Sequence, residues 1–266
     1  MNIKSNCWRI SNEETAYFVK KYKHPRTFQK VRTIHRALQE TTEFLVPVIA
    51  FSEPYIVYEW VEGRAADYND VGECRQVFSV LDQLHKAGQD IYVEPTIQLE
   101  AKWHYRLLQF QIFEEQLRAI LNNSYNDLLR IAEFSLSRAR FPIGATTLLH
   151  GDVAHHNFLL TEKKMYMIDV DLAVLGTEAD EFLLWMHRLL PHFHYDLYKI
   201  LSEIPELERY RSYFSLLLFP NELLREWLVF AEQPSLHSHL LAMTSYYLQQ
   251  WPKLNNQINQ LVRTSY

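Results

Sequence analysis

At 266 residues, with 48% hydrophobic and 22% charged positions, the chain can bury a substantial core and shows none of the bias of disordered or fibrous sequences. A net charge of −5 without a dominant basic run excludes a protein whose main task is to coat nucleic acid. Two cysteines without CxxC spacing, an N-terminus with no apolar leader and no apolar run of about 18 residues give the expectation of a reducing, cytoplasmic setting with no membrane span.

The first predicted elements are short strands at 7–10 and 16–22, joined by the polar run SNEE as a hairpin. Pro25 opens a predicted helix over 25–40, in which Phe28, Val31, Ile34 or His35, and Leu38 recur at helical spacing. Strands follow at 46–51 and 55–60, separated by Ser52, Glu53 and Pro54. From Glu62 and Gly63 onward long amphipathic segments take over: 71–88, 103–121 and 126–141, then 178–190, 194–204, 206–219, 221–233 and 235–251, before a short tail. One strand-like interruption, 147–169, divides them. The expected plan is a small strand-rich lobe, 1–61, and a large helical lobe, 62–266, without internal repeats or low-complexity linkers.

The interruption carries the chemistry. Residues 150–157 read HGDVAHHN, and MYMIDVD follows at 165–171. In phosphoryl transfer to an alcohol, a carboxylate orients the attacking hydroxyl and accepts its proton, while an amide oxygen a few residues on helps to hold the metal on the nucleotide phosphates. Asp152 and Asn157, four residues apart in a loop, have the spacing of the protein-kinase catalytic loop. Residues 158–160 and 165–169 read as a short hairpin that delivers Asp169 beside Asn157, and Mg²⁺ favours such hard carboxylate oxygens.

HGD-x₄-N followed by IDxD resembles the aminoglycoside phosphotransferase and choline kinase superfamily, small-molecule kinases with a protein-kinase-like fold. YFVKKY resembles its lysine-bearing strand, IVYEWVEG its hinge, VLDQLHKAG its L-x-x-L-H helix, and ADEFLLW its D-L-A segment. The resemblance implies an α+β, bilobal fold: an antiparallel N-lobe sheet with one helix, then a mainly helical C-lobe with its catalytic loop at 148–171. It also implies site roles. Lys20 contacts the nucleotide phosphates, Asp152 is the catalytic base, and Asn157 and Asp169 bind Mg²⁺. The backbone of Glu59, Trp60 and Val61 meets the adenine edge, and His150 and Asp180 support the loop. Lys20 is preferred over Lys21 as a register choice, because strand alternation sends the two to opposite faces.

The sequence departs from the family pattern in three places. No glycine precedes Gly63, so no glycine-rich loop covers the phosphates. The inward positions of helix 25–40 hold no glutamate, which leaves Lys20 without its usual partner. Phe18 shares a strand face with Lys20 and narrows the nucleotide pocket.

Bland readings compete with each assignment. Asp and Asn also serve as turn residues, and Lys20 has a rival reading as a solvated strand end, which its neighbours Tyr17, Phe18 and Val19 disfavour by marking a packed strand. His155 and His156 suggest zinc, but no cysteine or matching histidine pair completes a tetrahedron. Asp171 either supports Asp169 or faces substrate. Trp185, Trp227, Tyr246, Tyr247 and Trp251 read as core or cleft wall.

The leading expectation is a Mg²⁺-dependent phosphotransferase using ATP or GTP and a small hydroxyl acceptor. The alternative is a catalytically degenerate, kinase-like scaffold, resembling the kinase-related proteins of bacterial spore coats. A protein acceptor is disfavoured by the short stretch between Asp169 and the helix at 178.

Overall fold

The alternating runs near the N-terminus pair into one antiparallel sheet. The computed structural model describes residues 2–4, 6–12, 14–94, 98–232 and 237–263, the side chains of 2–4, 231, 232 and 237 excepted. Strands β1 (Asn2–Lys4), β2 (Cys7–Ser11), β3 (Ala16–Lys21), β4 (Val48–Ser52) and β5 (Tyr55–Glu59) lie in the order β1-β2-β3-β5-β4. β1 was not expected, its three residues being too few to show alternation. Cys7, Lys20 and Ile56 stand opposite one another, as do Arg9, Phe18 and Tyr58, so all six share one face. Helix α1 (Pro25–Leu38) buries Phe28, Val31, Ile34, His35 and Leu38, the stripe its spacing predicts. Each of its large apolar side chains contributes roughly 1.5–3 kcal/mol on burial. The other sheet face is solvated, with Lys21 exposed and Ile10 55% accessible.

The chain divides into two compact units, Met1–Thr96 with Ala145–Glu178, and Ile97–Gly144 with Ala179–Tyr266. The first unit therefore continues well beyond residue 61, the expected edge of the small lobe. It includes β6 (Arg64–Ala65), α2 (Val71–Ala87), β7 (Thr147–Leu149), β8 (Phe158–Leu160), β9 (Met165–Met167) and β10 (Val174–Gly176). The Asp70 carboxylate caps α2 by accepting the Glu73 amide at 3.0 Å. Glu73 in turn accepts the Asp67 amide at 2.7 Å and pairs with the Arg64 guanidinium. At the other end of α2 stands Gly88, where a Cβ would overlap Leu148, so the helix end and β7 are in direct contact. The Thr147 hydroxyl donates to the His85 carbonyl at 2.6 Å and fixes that contact. β8 and β9 form the expected hairpin, with β6 added at its edge, and β7 pairs with β10.

The second unit is helical. Its elements are α3 (Leu99–Ile112), α4 (Glu114–Leu121), α5 (Asn123–Ser137), α6 (Glu178–Leu189), which starts at the last residue of the first unit, α7 (Leu197–Glu203), a 3₁₀ segment Pro205–Leu218, α8 (Asn221–Glu232) and α9 (His237–Arg263). Two expectations need correction. Segment 103–121 is two helices, broken at Phe113 (φ −88°, ψ 20°); buried Phe110, Leu117 and Leu121 keep a helical spacing across the break and so conceal it. The last helix does not stop near Trp251 but runs through Pro252 to Arg263. Trp103, Trp185 and Trp227 are fully buried, with Trp103 stacked on Phe219 at 4.7 Å and Phe110 on Tyr125 at 5.0 Å. No described helix is long and apolar enough to cross a membrane.

Candidate functional site

β7 delivers a fully buried histidine, His150. Its Nδ1 accepts the Asp152 amide at 3.2 Å, so its Nε2 carries the hydrogen and donates to the Ile168 carbonyl at 2.8 Å. One imidazole thus ties the loop at 150–157 to the end of β9. Gly151 adopts φ +80°, and a Cβ there would overlap the Leu172 carbonyl oxygen. The glycine of HGD therefore serves both a left-handed turn and a close approach of the following strand connection. Farther along, the Tyr68 hydroxyl donates to the Val153 carbonyl at 2.8 Å.

A 3₁₀ turn, His155–Asn157, then leads into β8 and leaves Asn157 4% accessible. The Asn157 amide nitrogen donates to both the carbonyl and the carboxylate of Asp152, at 2.9 and 3.1 Å. With the nitrogen engaged, the amide oxygen is the group that can meet a cation. The Ile168 amide donates to the Asn157 carbonyl at 2.9 Å, which brings the end of β9 beside Asn157. Asp169 itself is left-handed (φ 62°, ψ 63°), an uncommon state for a non-glycine residue, and a 3₁₀ turn, Val170–Leu172, follows it.

Lys20 and Lys21 fall on opposite faces of β3. Lys21 is exposed, its ammonium 5.7 Å from the Tyr55 ring centroid. Lys20 is 8% accessible and bridges two carboxylates, Asp169 Oδ1 at 2.9 Å and Asp171 Oδ2 at 2.7 Å. The expectation of an unpartnered Lys20 is thereby corrected: α1 offers no carboxylate, and two aspartates from the other end of the unit take its place. Burial works against the ammonium, but Asp171 and Asp169 outweigh it and hold the Lys20 pKa above that of an ordinary lysine. Burial also opposes charge on Asp169, yet Lys20 and its hydrogen bond pull this carboxyl below its ordinary value. Asp171 goes the other way, pushed up by burial and by the charge of Asp169 despite Lys20.

Two further groups complete the surroundings. The Tyr22 ring lies 5.3 Å from the Lys20 ammonium, and its hydroxyl is 3.2 Å from that of Tyr58. Lys30, on α1, donates to the Ala173 carbonyl at 2.9 Å; burial lowers its pKa while Asp171 partly restores it. Sequence reasoning missed Lys30 and left Asp171 undecided, because both act through contacts that no local spacing reveals.

At the expected hinge, the amides of Glu59 and Trp60 already donate to the carbonyls of Pro47 and Ala16, at 2.9 and 3.1 Å. Val61 is thus the hinge residue whose amide is not taken up by these strand contacts. The Arg9 guanidinium lies 4.4 Å from the Trp60 ring centroid, and the Trp60 indole donates to Glu62 at 2.7 Å. Phe18 is half-buried, 5.9 Å from Tyr58 on the Lys20 face.

Three further candidates remain. Asp180 is buried in α6, within the second unit. His155 and His156 are exposed, 5.4 Å apart between ring centroids. Among the described residues, no three His, Cys, Asp or Glu side chains gather as a metal cage. The donors that do gather around Asp169 are oxygens, and Asp171 Oδ1 is buried without a hydrogen bond. Asp169 and Asp171 both face the Lys20 ammonium, and the Lys30 ammonium acts on Asp171 as well. Such a set fits a hard divalent cation held by one or two protein oxygens plus phosphates, and does not fit zinc.

A family model described as the phosphotransferase enzyme family matches residues 3–211. Among solved structures, an aminoglycoside phosphotransferase from Alicyclobacillus acidocaldarius is similar at TM-score 0.69 and 17% identity, covering 99% of this chain and 91% of that one. A choline kinase from Cryptosporidium parvum follows at 0.61 and 10%, covering 98% and 94%. An amicoumacin kinase, solved in complex with AMP-PNP, Ca²⁺ and Ami, is similar at 0.60 and 11%, covering 94% and 86%. No curated protein matches at the sequence level.

Proposed function

The chain belongs to the phosphotransferase enzyme family, and from that premise we propose that it moves the terminal phosphoryl group of a nucleoside triphosphate to a hydroxyl of a small molecule. The observation that carries this reading is the pairing of a carboxylate braced by an amide, Asp152 and Asn157, with a buried lysine held on the Asp169 carboxylate. Asp152 orients the acceptor hydroxyl and takes its proton as the acceptor oxygen bonds to the terminal phosphorus. The bond from that phosphorus to the bridging oxygen breaks, and the nucleoside diphosphate leaves. The Asn157 amide nitrogen keeps Asp152 in one rotamer, so the base is positioned before substrate arrives.

Lys20 is the phosphate contact, and the Val61 amide is the hinge donor to the purine. Asn157 Oδ1 and the Asp169 carboxylate are the groups that would hold Mg²⁺. When bound, the ion neutralises charge on the phosphates. The nucleotide analogue and Ca²⁺ in the amicoumacin kinase support a nucleotide donor here. No glycine precedes Gly63, so on this reading the phosphate contacts come from Lys20 and the 150–171 region rather than from a glycine-rich covering loop.

Titration calorimetry with ATP and GTP, with and without Mg²⁺, tests the reading. Metal-dependent binding is expected in the native protein and in Asp152→Asn, and is expected to be lost in Asp169→Asn. Both variants should lower transfer to a small hydroxyl acceptor by roughly 10²–10⁴-fold. Absence of binding at millimolar nucleotide would instead favour a non-catalytic scaffold.

A further inference from the structure

In protein kinases the phosphate-binding lysine is held by a glutamate on the N-lobe helix, and activity requires that ion pair. In this chain α1 contains no aspartate or glutamate. It presents a cation instead, Lys30, anchored on the Ala173 carbonyl. A buried ammonium still needs a counter-charge, because an unpaired one is expensive to keep out of water. Lys20 finds two, at 2.7 Å on Asp171 and 2.9 Å on Asp169.

These two carboxylates are not equivalent. The Asp169 side chain is 43% accessible and the Asp171 side chain 27%. Asp169 is also the carboxylate assigned above to the divalent cation. An oxygen that turns to a cation is no longer a full partner for an ammonium beside it, since the two positive charges repel. Asp171 Oδ2 makes the shorter contact to Lys20, at 2.7 Å, and its side chain is the less accessible of the two. It sits on the 3₁₀ turn at Val170–Leu172, and that turn is fixed from two sides, by the Lys30 contact to Ala173 and by the packing of the Leu172 carbonyl against Gly151.

We propose that Asp171 is the positioning residue for Lys20, replacing the helix carboxylate with one supplied two residues after Asp169. This rests on the phosphotransferase reading of the site. The duty has moved from a helix that can swing to a turn built into the same loop system as the base. Nucleotide affinity therefore depends on Asp171 only through Lys20.

A binding cycle tests this. ATP affinity is measured by calorimetry, in Mg²⁺ and in EDTA, for the native protein, Asp171→Asn, Lys20→Met and the double variant, with urea midpoints to show that each is folded. The expected result is about a tenfold loss for Asp171→Asn, a similar loss for Lys20→Met, and no further loss in the double variant. If Asp171→Asn does not fold, Asp171→Ser makes the same charge deletion with a smaller side chain and enters the same cycle. Native-like affinity in Asp171→Asn overturns the proposal, as do independent, multiplying losses in the double variant. A raised Mg²⁺ requirement that persists in the Lys20→Met background would make Asp171 a metal ligand and also overturn it. A native protein that binds no nucleotide would overturn the phosphotransferase reading itself, and the positioning role with it.

Discussion

Among single residues, Gly151 is the one for which the structure requires its type most directly. A side chain there meets both the left-handed φ and the Leu172 carbonyl, so Gly151→Ala combines backbone strain with overpacking. A loss of roughly 2–4 kcal/mol is expected, read as a lower urea midpoint, and an unchanged midpoint would show that the Leu172 carbonyl is free to move. The same residue shows what the sequence made legible. HGD-x₄-N is a local pattern, and its loop and its supporting histidine were legible in it, whereas the brace of Asn157 on Asp152 came only from the structure. The partner of Lys20 lies 151 positions away, at Asp171, and no periodicity in either segment points to the other. Lys30 was invisible for the same reason: on sequence it is an ordinary helix lysine, and its carbonyl acceptor is 143 positions downstream.

At the scale of elements, legibility followed the strength of the repeat. α1 and α2 were readable because each buries one continuous stripe, and the β8–β9 hairpin because two apolar triplets flank a polar turn. The 206–219 segment has the same apolar content yet folds as 3₁₀ over Pro205–Leu218. Its buried Leu207, Tyr210 and Phe214 are three and four residues apart, a spacing that does not tell the tighter helix from an α-helix. β6 and β10 are two and three residues long, below the length at which alternation can be recognised. α9 was misjudged because proline normally ends a helix. Here Pro252 is exposed, and buried Leu254, Ile258 and Leu261 continue the packed face beyond it, so tertiary burial outweighs the lost backbone hydrogen bond. Pro252→Ala, which restores an amide toward the Leu248 carbonyl, is expected to raise the stability of the helical unit by roughly 1–3 kcal/mol. Differential scanning calorimetry would register this as a higher transition temperature, and a lower one would mean that the proline shapes the helix for its packing.

Across the whole molecule, each compact unit buries a histidine that burial keeps uncharged. His35, on α1, packs edge-on against Tyr58 at 5.3 Å with no partner for Nδ1, and burial pushes its pKa down to about 4. His187, on α6, packs against Trp103 at 5.5 Å, and burial takes it down to about 3, opposed by a backbone hydrogen bond at Leu216 and reinforced by the charge of Arg106. In the unfolded chain both titrate near 6.5. Their folded values lie below this, so their contribution to stability is complete above pH 6.5 and is lost as pH falls toward 4. Depressed carboxylates such as Glu73 lose their contribution as pH falls through the ordinary carboxylate range and below it, while the raised Asp171 acts in the opposite sense to the histidines. Between pH 6.5 and 5 the linkage amounts to about 2 kcal/mol for each histidine. Urea unfolding at pH 7.5 and pH 5 should therefore show a marked fall in midpoint for the native protein. That fall should shrink in His35→Phe and again in His187→Phe, each variant removing the share of its own unit. Equal midpoints at the two pH values would mean that both imidazoles gain protons without opening the core, and the assignment of these residues as uncharged core packing would fail.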